Sequence, residues 1–253
     1  MRDDPTPKPR IVPDDMTAPL PRSDSPHGDT VGESAYRRIR HDIIFGQLAP
    51  GSRLRLERLK DPYAASVSTL REILYRLSSE GLVRAEGQKG FEVSPVSQRH
   101  FRELAAMREL LEGHAMTQSF ELGDMDWEAR VVSAHHKLAR LEQQMLAGNS
   151  AEAETWKRYD WEFHHALISA CGSTALMQTH APVFDQYLRY QIIAMIFRGQ
   201  AAADEHQQLL ACALGRDAVR ARNILGQHIS ACVEHTLEHG LLREGLLGEA
   251  GAT

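Results

Sequence analysis

Apolar residues recur at helical spacing along much of the chain, and the clearest case lies between residues 65 and 93. Four residues in this stretch, at positions i, i+3, i+4 and i+7, share one face of a predicted helix: Leu70, Ile73, Leu74 and Leu77. Ser66 precedes them, and a hydroxyl at that position is typical of a helix start because it accepts from the free amides of the first turn. Gly81 is a typical helix end.

The residues that follow this helix alternate in a way that predicts two short strands. Leu82 and Val83 fall on the first strand and Phe91 and Val93 on the second, with a turn at residues 86–90. A helix with a polar start, followed by a hairpin with a basic tip, is the layout of a winged helix-turn-helix. In that fold the helix enters the major groove of DNA and the wing contacts the backbone or minor groove. The alternative is an ordinary amphipathic helix and hairpin in a small core.

The hydrophobic pattern also predicts the elements on either side. Upstream we expect a first helix over 36–46, a turn over 48–54 and a short second helix over 56–63 that Pro62 disturbs. Downstream, Ser97 is expected to cap a long helix, and helical spacing continues to about Gly240 without a β pattern. The fold class predicted is mostly α, with an N-terminal winged helix-turn-helix followed by an all-helical bundle of about six helices.

Predicted starts and ends divide the bundle. Helices two and three are expected around Trp127–Met145 and from a Ser150 cap to Gly172. Helix four is expected over Leu176–Phe197 with a bend at Pro182, helix five over Ala201–Leu214, and helix six from an Asp217 cap to about His239.

Composition sets the domain limits. Residues 1–30 hold seven of the eleven prolines and little apolar content, which predicts a disordered tail. We expect a DNA-binding domain over 31–96, a helical domain over 97–240 and a frayed tail over 241–253. The chain has no apolar run long enough for a transmembrane helix and no apolar segment typical of a secretion signal. Its three scattered cysteines indicate a reduced, cytoplasmic protein.

Charge is distributed unevenly. The whole chain carries a formal net charge of −5, but residues 31–96 hold eleven Lys/Arg and eight Asp/Glu, a net of +3. The basic segment therefore coincides with the predicted DNA-binding domain, as expected for a protein that contacts phosphates. The residues predicted to contact DNA are Ser66, Ser68, Thr69 and Arg71 on the helix and Gln88 and Lys89 on the wing.

The helical half contains a candidate metal site. Asp160 and His164 are four residues apart, so they share a helix face. His206 precedes the turn at Gly215 by nine residues and His228 follows it by thirteen, which places the two at similar heights on antiparallel helices. One carboxylate and three imidazoles suit a divalent ion such as zinc, nickel, iron or manganese. The alternative is a buried polar network without metal, since most of the thirteen histidines have no such pattern.

Residues 33–96 resemble the GntR family of bacterial transcription regulators. The positions that match in one register are Ile39, Ile43, Gly46, Pro50-Gly51, Leu54, Leu59, Ser66, Leu70-Arg71-Glu72, Leu74, Leu77, Glu80-Gly81-Leu82-Val83 and Gly90. The resemblance implies a winged helix that binds double-stranded operator DNA as a homodimer. Two positions depart from the family, Val67 where an arginine usually follows the serine, and Glu57 at another basic position, so family operator sequences cannot be carried over.

Residues 97–240 resemble the FCD effector-binding domain of the FadR-type branch of that family. The match includes residues 160–164, Glu205-His206 and residues 227–229, and it covers all four candidate ligands. FCD domains with this set commonly bind a metal that helps to hold a small carboxylate effector. Arg108 matches a family arginine that would pair with that carboxylate; the alternative for Arg108 is a surface ion pair with Glu112. Cys171-Gly172-Ser173 and residues 54–74 are most similar to the carbon-starvation-induced type within the branch.

These observations predict a ligand-responsive repressor, homodimeric and cytoplasmic, that senses a small carboxylate beside a metal in its helical domain. One alternative is a metal-dependent hydrolase or oxygenase that uses the same four side chains. Against it, the sequence has no HExxH motif and no other general-base motif beside these ligands. The second alternative, a dimerisation scaffold, does not explain four polar groups that converge inside a bundle.

Overall fold

The computed structural model describes residues 30–87, 90–149, 153–194 and 197–239. Within these residues the chain forms two compact units, one built from residues up to Ile43 and 47–94, and the other from Ile44–Gly46 and the residues from Pro95 onward. The sequence-predicted tails over 1–30 and 241–253 lie almost wholly outside the described residues, as do the Ser150 cap and the wing-tip residues Gln88 and Lys89.

The first unit contains three helices and a small sheet. Its elements in chain order are α1 (Val31–Ile44), β1 (Arg53–Leu54), α2 (Leu56–Tyr63), α3 (Val67–Ser79), β2 (Val83–Ala85) and β3 (Phe91–Val93). The three strands are antiparallel in the order β1-β3-β2, with Arg53 opposite Glu92 and Ala85 opposite Phe91. Strand β1 lies inside the segment predicted as a turn, because a two-residue strand is too short to show an alternating pattern. Helix α1 also begins five residues before the predicted Tyr36.

The core of this unit forms on the predicted face of α3. Leu70, Ile73, Leu74 and Leu77 are all buried, while the opposite face is exposed. The helix ends in a Schellman motif, in which Leu82 N donates to Leu77 O at 3.0 Å and Gly81 N donates to Ser78 O at 3.1 Å. Gly81 has φ +77°, a conformation that costs glycine little and other residues more. The predicted helix end at Gly81 is therefore confirmed.

In the second unit the regular elements among the described residues are all helices. It comprises α4 (Gln98–Leu122), α5 (Met125–Leu146), α6 (Ala153–Ile168), α7 (Thr174–Ala194), α8 (Gln200–Leu214) and α9 (Ala218–His239). Ser97 caps α4 by accepting from His100 N at 3.2 Å, and Asp217 accepts from Arg220 N at 3.0 Å at the start of α9. Both predicted caps are confirmed, as is the fold class. Pro182 lies inside α7, as expected.

Helix α4 lies along α9, α7 and α6, while α5 packs against α6 and α8, and α8 packs against α9. The core between them contains large buried side chains from several helices, among them Phe101, Trp127, Phe163 and Tyr187. Trp127 also donates its indole N–H to Ala166 O at 2.9 Å, which ties α5 to α6. This arrangement lets buried side chains of α6, α8 and α9 meet in the interior of the unit. None of the described helices is long and apolar enough to cross a bilayer.

Candidate metal centre and DNA-reading helix

The N-terminal turn of α3 presents the polar residues that the sequence singled out. Ser66 is the N-cap, and its hydroxyl accepts from Thr69 N at 3.2 Å. The same oxygen lies 2.8 Å from Ser68 Oγ and 2.9 Å from Thr69 Oγ1, so the three hydroxyls form one chain at the helix start. Arg71 is exposed one turn further along. The structure thus places four of the six predicted DNA-contacting residues near the start of α3, with Ser66, Ser68 and Arg71 exposed and Thr69 half-buried.

The four candidate metal ligands meet inside the helical unit. Helix α6 supplies Asp160 and His164, α8 supplies His206, and α9 supplies His228. One ligand atom from each residue can be chosen so that all four lie within 4.8 Å of one another, and all four residues are buried. The helical spacing on α6 places its two ligands on one face, and the short turn after α8 brings the other two alongside. The sequence-predicted convergence is therefore present in the structure.

Distances within the cluster show how the groups face one another. His206 Nε2 lies 3.3 Å from Asp160 Oδ1, and His164 Nε2 lies 4.0 Å from the same oxygen. The ring centroids of His206 and His228 are 4.8 Å apart, and those of His164 and His228 are 5.2 Å apart. Three imidazoles and one carboxylate therefore lie close enough together to be candidates for binding one ion.

Unpaired nitrogen atoms indicate what the cluster is suited to hold. Among the described residues, both ring nitrogens of His164 and Nε2 of His206 are buried without a hydrogen bond. A buried polar atom left in this way costs about 1–3 kcal/mol. A divalent cation would be coordinated by one nitrogen of each of the three histidines and by Asp160. One carboxylate with three imidazoles is a donor set that suits zinc, nickel, iron or manganese. The residues present thus fit a metal ion.

The carboxylates distribute charge unevenly over the three imidazoles. Burial alone would lower the pKa of His206, but the Asp160 and Glu142 carboxylates raise it to about 9. Burial lowers the pKa of His228 to about 3, against the opposing effect of Glu205. Burial also lowers the pKa of His164. In the metal-free protein His206 therefore carries a proton between two carboxylates, while the other two rings are neutral and can offer a lone pair.

Two glutamates that the sequence did not identify as site residues contact this cluster from outside. Glu142 Oε1 on α5 lies 2.7 Å from His206 Nδ1, and Glu205 Oε2 on α8 lies 2.7 Å from His228 Nδ1. Glu205 directly precedes the candidate ligand His206, and this adjacency is a sequence signal that marks it as a possible site residue. Glu142 comes from a helix 64 residues away, and no local pattern marks it.

Arg108 is buried, and so is the acid it pairs with. Its Nε and Nη2 donate to the two oxygens of Glu112 at 2.7 and 3.0 Å. Glu112 Oε2 also lies 3.4 Å from Nδ1 of the candidate ligand His164. The sequence-based alternative of an Arg108–Glu112 ion pair is therefore correct in its partners, but the pair is in the core and not on the surface. It connects the predicted effector anchor to the candidate metal ligands.

A second buried cation lies on the other side of Asp160. Lys157 Nζ is 3.5 Å from Asp160 Oδ2 and donates to Gln191 Oε1 at 3.0 Å. Burial raises the pKa of Asp160, but Lys157, His206 and His164 lower it more, so that it lies well below the usual value. Asp160 is thus ionised across the physiological range. The sequence did not identify Lys157 as a site residue.

Comparison with known proteins agrees with this architecture. The family described as FCD domain matches residues 103–231, and the family described as bacterial regulatory proteins, gntR family, matches residues 32–93. The chain is 38% identical over 213 residues to the HTH-type transcriptional regulator BphR of Paraburkholderia xenovorans, covering 83% of this chain and 87% of that protein. It is 32% identical over 200 residues to the HTH-type transcriptional repressor GlaR of Escherichia coli, covering 77% and 90%.

Two solved structures share the fold. A transcriptional regulator GntR from Rhodococcus sp. RHA1 superimposes with a TM-score of 0.67 and 18% identity, covering 82% of this chain and 97% of that one. The E. coli McbR/YncC structure also gives a TM-score of 0.67 and 18% identity, covering 83% and 99%. At this level of identity the structures support the fold alone.

Proposed function

The chain belongs to the gntR family of bacterial regulatory proteins and carries an FCD domain, and on this basis we propose that it is a metal-containing, carboxylate-responsive repressor. Its relatives are transcriptional regulators and not enzymes. The observation that carries the proposal is the buried convergence of Asp160, His164, His206 and His228, with nitrogen atoms that lack a hydrogen bond among the described residues. The proposed protein is a cytoplasmic homodimer that reads a near-palindromic operator through α3.

The proposed metal site would be held by two ligands from α6 and one each from α8 and α9. When bound, the metal supplies a Lewis-acidic point that attracts an effector carboxylate oxygen. Asp160, held ionised by Lys157, balances part of the metal charge. The neutral rings of His164 and His228 offer their lone pairs without first losing a proton, whereas His206 must release one.

Arg108 is the proposed second contact for the effector carboxylate. Glu112 accepts from Nε and Nη2, so an effector must either use the remaining N–H groups on Nη1 and Nη2 or displace Glu112. Displacement would change the charge beside His164, because Glu112 Oε2 is 3.4 Å from His164 Nδ1. Effector and metal would then influence each other's affinity, as any coupled pair of ligands must.

The response to the effector is proposed to be a coupling between two binding equilibria. Ligand bound in the helical unit changes the affinity of the dimer for its operator, and operator DNA changes the affinity for the ligand by the same factor. Such couplings typically amount to ~1–3 kcal/mol. The relative GlaR is named a repressor, and we propose the same sign here, with effector weakening operator binding.

The decisive test is metal analysis combined with thermal melting, with and without chelator. Wild-type protein purified without chelator should contain one metal ion per chain and should melt lower after chelation, because a ligand that binds only the folded state adds RT ln(1 + [L]/Kd) to its stability. Asp160→Ala and His228→Ala should bind less metal and should lose the shift. His136→Ala, which removes an exposed histidine on α5, is the matched control and should behave as wild type.

A different result would remove the metal from the proposal. If wild type carries no stoichiometric metal, and neither chelator nor added zinc, nickel or manganese moves its melting temperature, then the cluster is a buried polar network. Operator binding by the winged helix, measured by duplex shift, is independent of that outcome and tests the regulatory part of the proposal separately.

A further inference from the structure

Two of the candidate ligands, His206 and His228, each contact a glutamate carboxylate through one ring nitrogen. The nitrogen atom contacted is Nδ1 in both cases, at 2.7 Å from Glu142 for His206 and at 2.7 Å from Glu205 for His228. The other nitrogen of His206, Nε2, is the atom that approaches Asp160, at 3.3 Å. The two glutamates come from different helices, so the repeated geometry does not follow from one local sequence pattern.

The hydrogen-bond chemistry fixes where the imidazole proton lies. An ionised carboxylate can only accept, so a 2.7 Å contact with Nδ1 requires that Nδ1 carries the hydrogen. Glu205 forms an ion pair with Arg198, and this pairing holds Glu205 as the carboxylate. The 3.1 Å approach of Arg198 Nη2 to Nδ1 of His228 is then a contact and not a hydrogen bond, because both atoms carry hydrogen.

Once Nδ1 holds the hydrogen, the lone pair of a neutral ring is on Nε2. A metal can be bound only through the nitrogen that has the lone pair, and an acceptor on the opposite nitrogen also fixes the plane of the ring. For His206 this directs Nε2 towards Asp160. For His228, Nε2 lies 3.9 Å from Cys232 Sγ, on the side of the ring away from Glu205.

We propose that Glu142 and Glu205 are positioning residues of the metal site, which hold His206 and His228 with Nε2 presented to the ion. This inference rests on the proposed function, since it concerns the same site. Helix α8 then contributes twice, with His206 as a ligand and with the preceding Glu205 as the residue that orients His228 on α9. Helix α5 contributes no ligand, yet through Glu142 it becomes part of the site.

Arg198 extends the arrangement around Glu205. It forms an ion pair with the Glu205 carboxylate, through Nη2 and through Nη1 at 3.3 Å, and its Nε donates to Cys232 Sγ at 3.2 Å. The carboxylate is therefore held by a guanidinium on one side while it accepts from His228 on the other. This fixes Glu205, although its side chain is 21% exposed, whereas Glu142 is buried with only 2% exposed.

The test uses the full chain and cobalt(II) as the probe. Glu142→Gln and Glu205→Gln keep the shape of the side chain but remove its charge, and an amide can face Nδ1 with either its oxygen or its NH₂, so the tautomer is no longer imposed. We expect cobalt affinity, measured by competition with a chromophoric chelator, to fall about 10- to 100-fold in each variant. Glu162→Gln is the control, since Glu162 lies on α6 in an ion pair with Lys137.

Two further measurements separate positioning from a structural role. The visible spectrum of bound cobalt reports the ligand set and its geometry, and it should change in both variants and not in the control. The melting temperature of chelator-treated protein should stay near that of wild type. An unchanged spectrum, with affinity reduced only in parallel with a lower metal-free melting temperature, would mean that the glutamates merely stabilise the fold and would overturn the inference.

The remaining outcomes distinguish this inference from the proposed function. If wild type binds no cobalt, the metal site itself is wrong and the positioning role falls with it. If wild type binds cobalt and both glutamine variants bind it equally well, only the positioning role is wrong. Should Glu142→Gln fail to fold, the partly exposed Glu205→Gln decides between the two.

Discussion

Arg108 and Glu112, one turn apart on α4, form a two-point ion pair in the interior of the helical unit, with N–O distances of 2.7 and 3.0 Å. The guanidinium carbon of Arg108 also lies 4.4 Å from the ring centroids of both Phe184 and Tyr187. His180 Nε2 is 2.9 Å from Glu112 Oε1. Burial raises the pKa of Glu112, but Arg108, His164 and His180 lower it more, so the acid is charged.

Removal of Glu112 alone should be costly. Glu112→Ala leaves the Arg108 guanidinium buried without a counter-charge, and breaking a buried pair in this way typically costs about 3–5 kcal/mol. The double variant Arg108→Leu/Glu112→Leu removes both charges and should lose less stability than Glu112→Ala. Denaturant unfolding of chelator-treated protein measures both. A double variant that is less stable than the single one would show that the pair is more favourable than its apolar replacement.

Arg71 should contribute to operator binding. It lies exposed on α3, one turn from the helix start, where side chains of a recognition helix reach base edges. Arg71→Ala should weaken operator affinity by about 1–3 kcal/mol if the side chain makes a bidentate base contact. The measurement is a binding isotherm at fixed salt, with Arg99→Ala in the helical unit as a control for the loss of one exposed positive charge. Equal affinity of Arg71→Ala and wild type would remove Arg71 from the reading surface.

Ser66 combines two roles that substitution can separate. As the N-cap of α3 it accepts from Thr69 N, so Ser66→Ala should destabilise the protein by about 1 kcal/mol. Ser66→Asp retains a capping oxygen and should keep stability close to wild type, but it adds a negative charge where DNA phosphates are expected. We therefore expect Ser66→Asp to melt like wild type and to bind operator more weakly. Normal operator affinity in a folded Ser66→Asp protein would place this helix start away from the phosphates.

Lys89 remains a prediction from the sequence, since it lies outside the described residues. At the tip of the wing it is expected to contact phosphate and not a base. Lys89→Ala should weaken binding to all duplex sequences alike and should reduce the slope of log affinity against log salt by about one unit. Affinities for operator and unrelated duplex at several salt concentrations provide the measurement. A loss confined to one base position would instead mean that Lys89 reads sequence.

Histidines that are kept neutral by burial should make the metal-free protein sensitive to acid. Burial and His180 lower the pKa of His165 to about 4, although Glu112 opposes the shift. The unfolded chain takes up this proton near pH 6.5 and the folded chain only near pH 4, so this contribution to stability is present above pH 6.5 and is lost as pH falls towards 4.

Substitution of His165 isolates its contribution to the pH dependence of stability. His165 stacks on Trp161, with ring centroids 4.8 Å apart, and His165→Phe keeps an aromatic ring at that position. Between pH 7 and pH 5, the chelator-treated variant should lose about 2 kcal/mol less stability than wild type, an upper value for a group that is not fully buried. Urea unfolding at the two pH values checks this. Equal losses in the two proteins would show that His165 does not contribute.

The sequence predicted best those features that depend on residues close together in the chain. The face of α3 and the caps at Ser66, Ser97 and Asp217 follow from spacing within a few residues, and the structure has them where expected. The convergence of four ligands was also predictable, because two share a helix and two flank one turn. Strand β1 was not predicted because a two-residue strand is too short to show an alternating pattern. It also pairs with Glu92 and Phe91, which lie nearly forty positions later in the chain.

The residues that contact the ligands from outside were harder to predict. Glu142 reaches His206 across 64 residues, and His180 reaches Glu112 across 68. Nothing in the spacing of either glutamate distinguishes it from a solvent-exposed acid on an amphipathic helix. The sequence left open whether Arg108 faces the interior or pairs with Glu112 at the surface. The burial of the pair depends on the aromatic rings of α7, which sequence alone does not place.

The four ligand residues of the candidate metal site are synthesised at different times during translation. A chain emerges from the ribosome N-terminus first, at about 5–20 residues per second, and its domains generally fold as units. His228 follows Asp160 by 68 residues, so several seconds of synthesis separate the first ligand from the last. The compact unit that carries α3 is complete by residue 94, long before α9 exists. A newborn chain can therefore possess a folded N-terminal unit before its candidate metal site is complete.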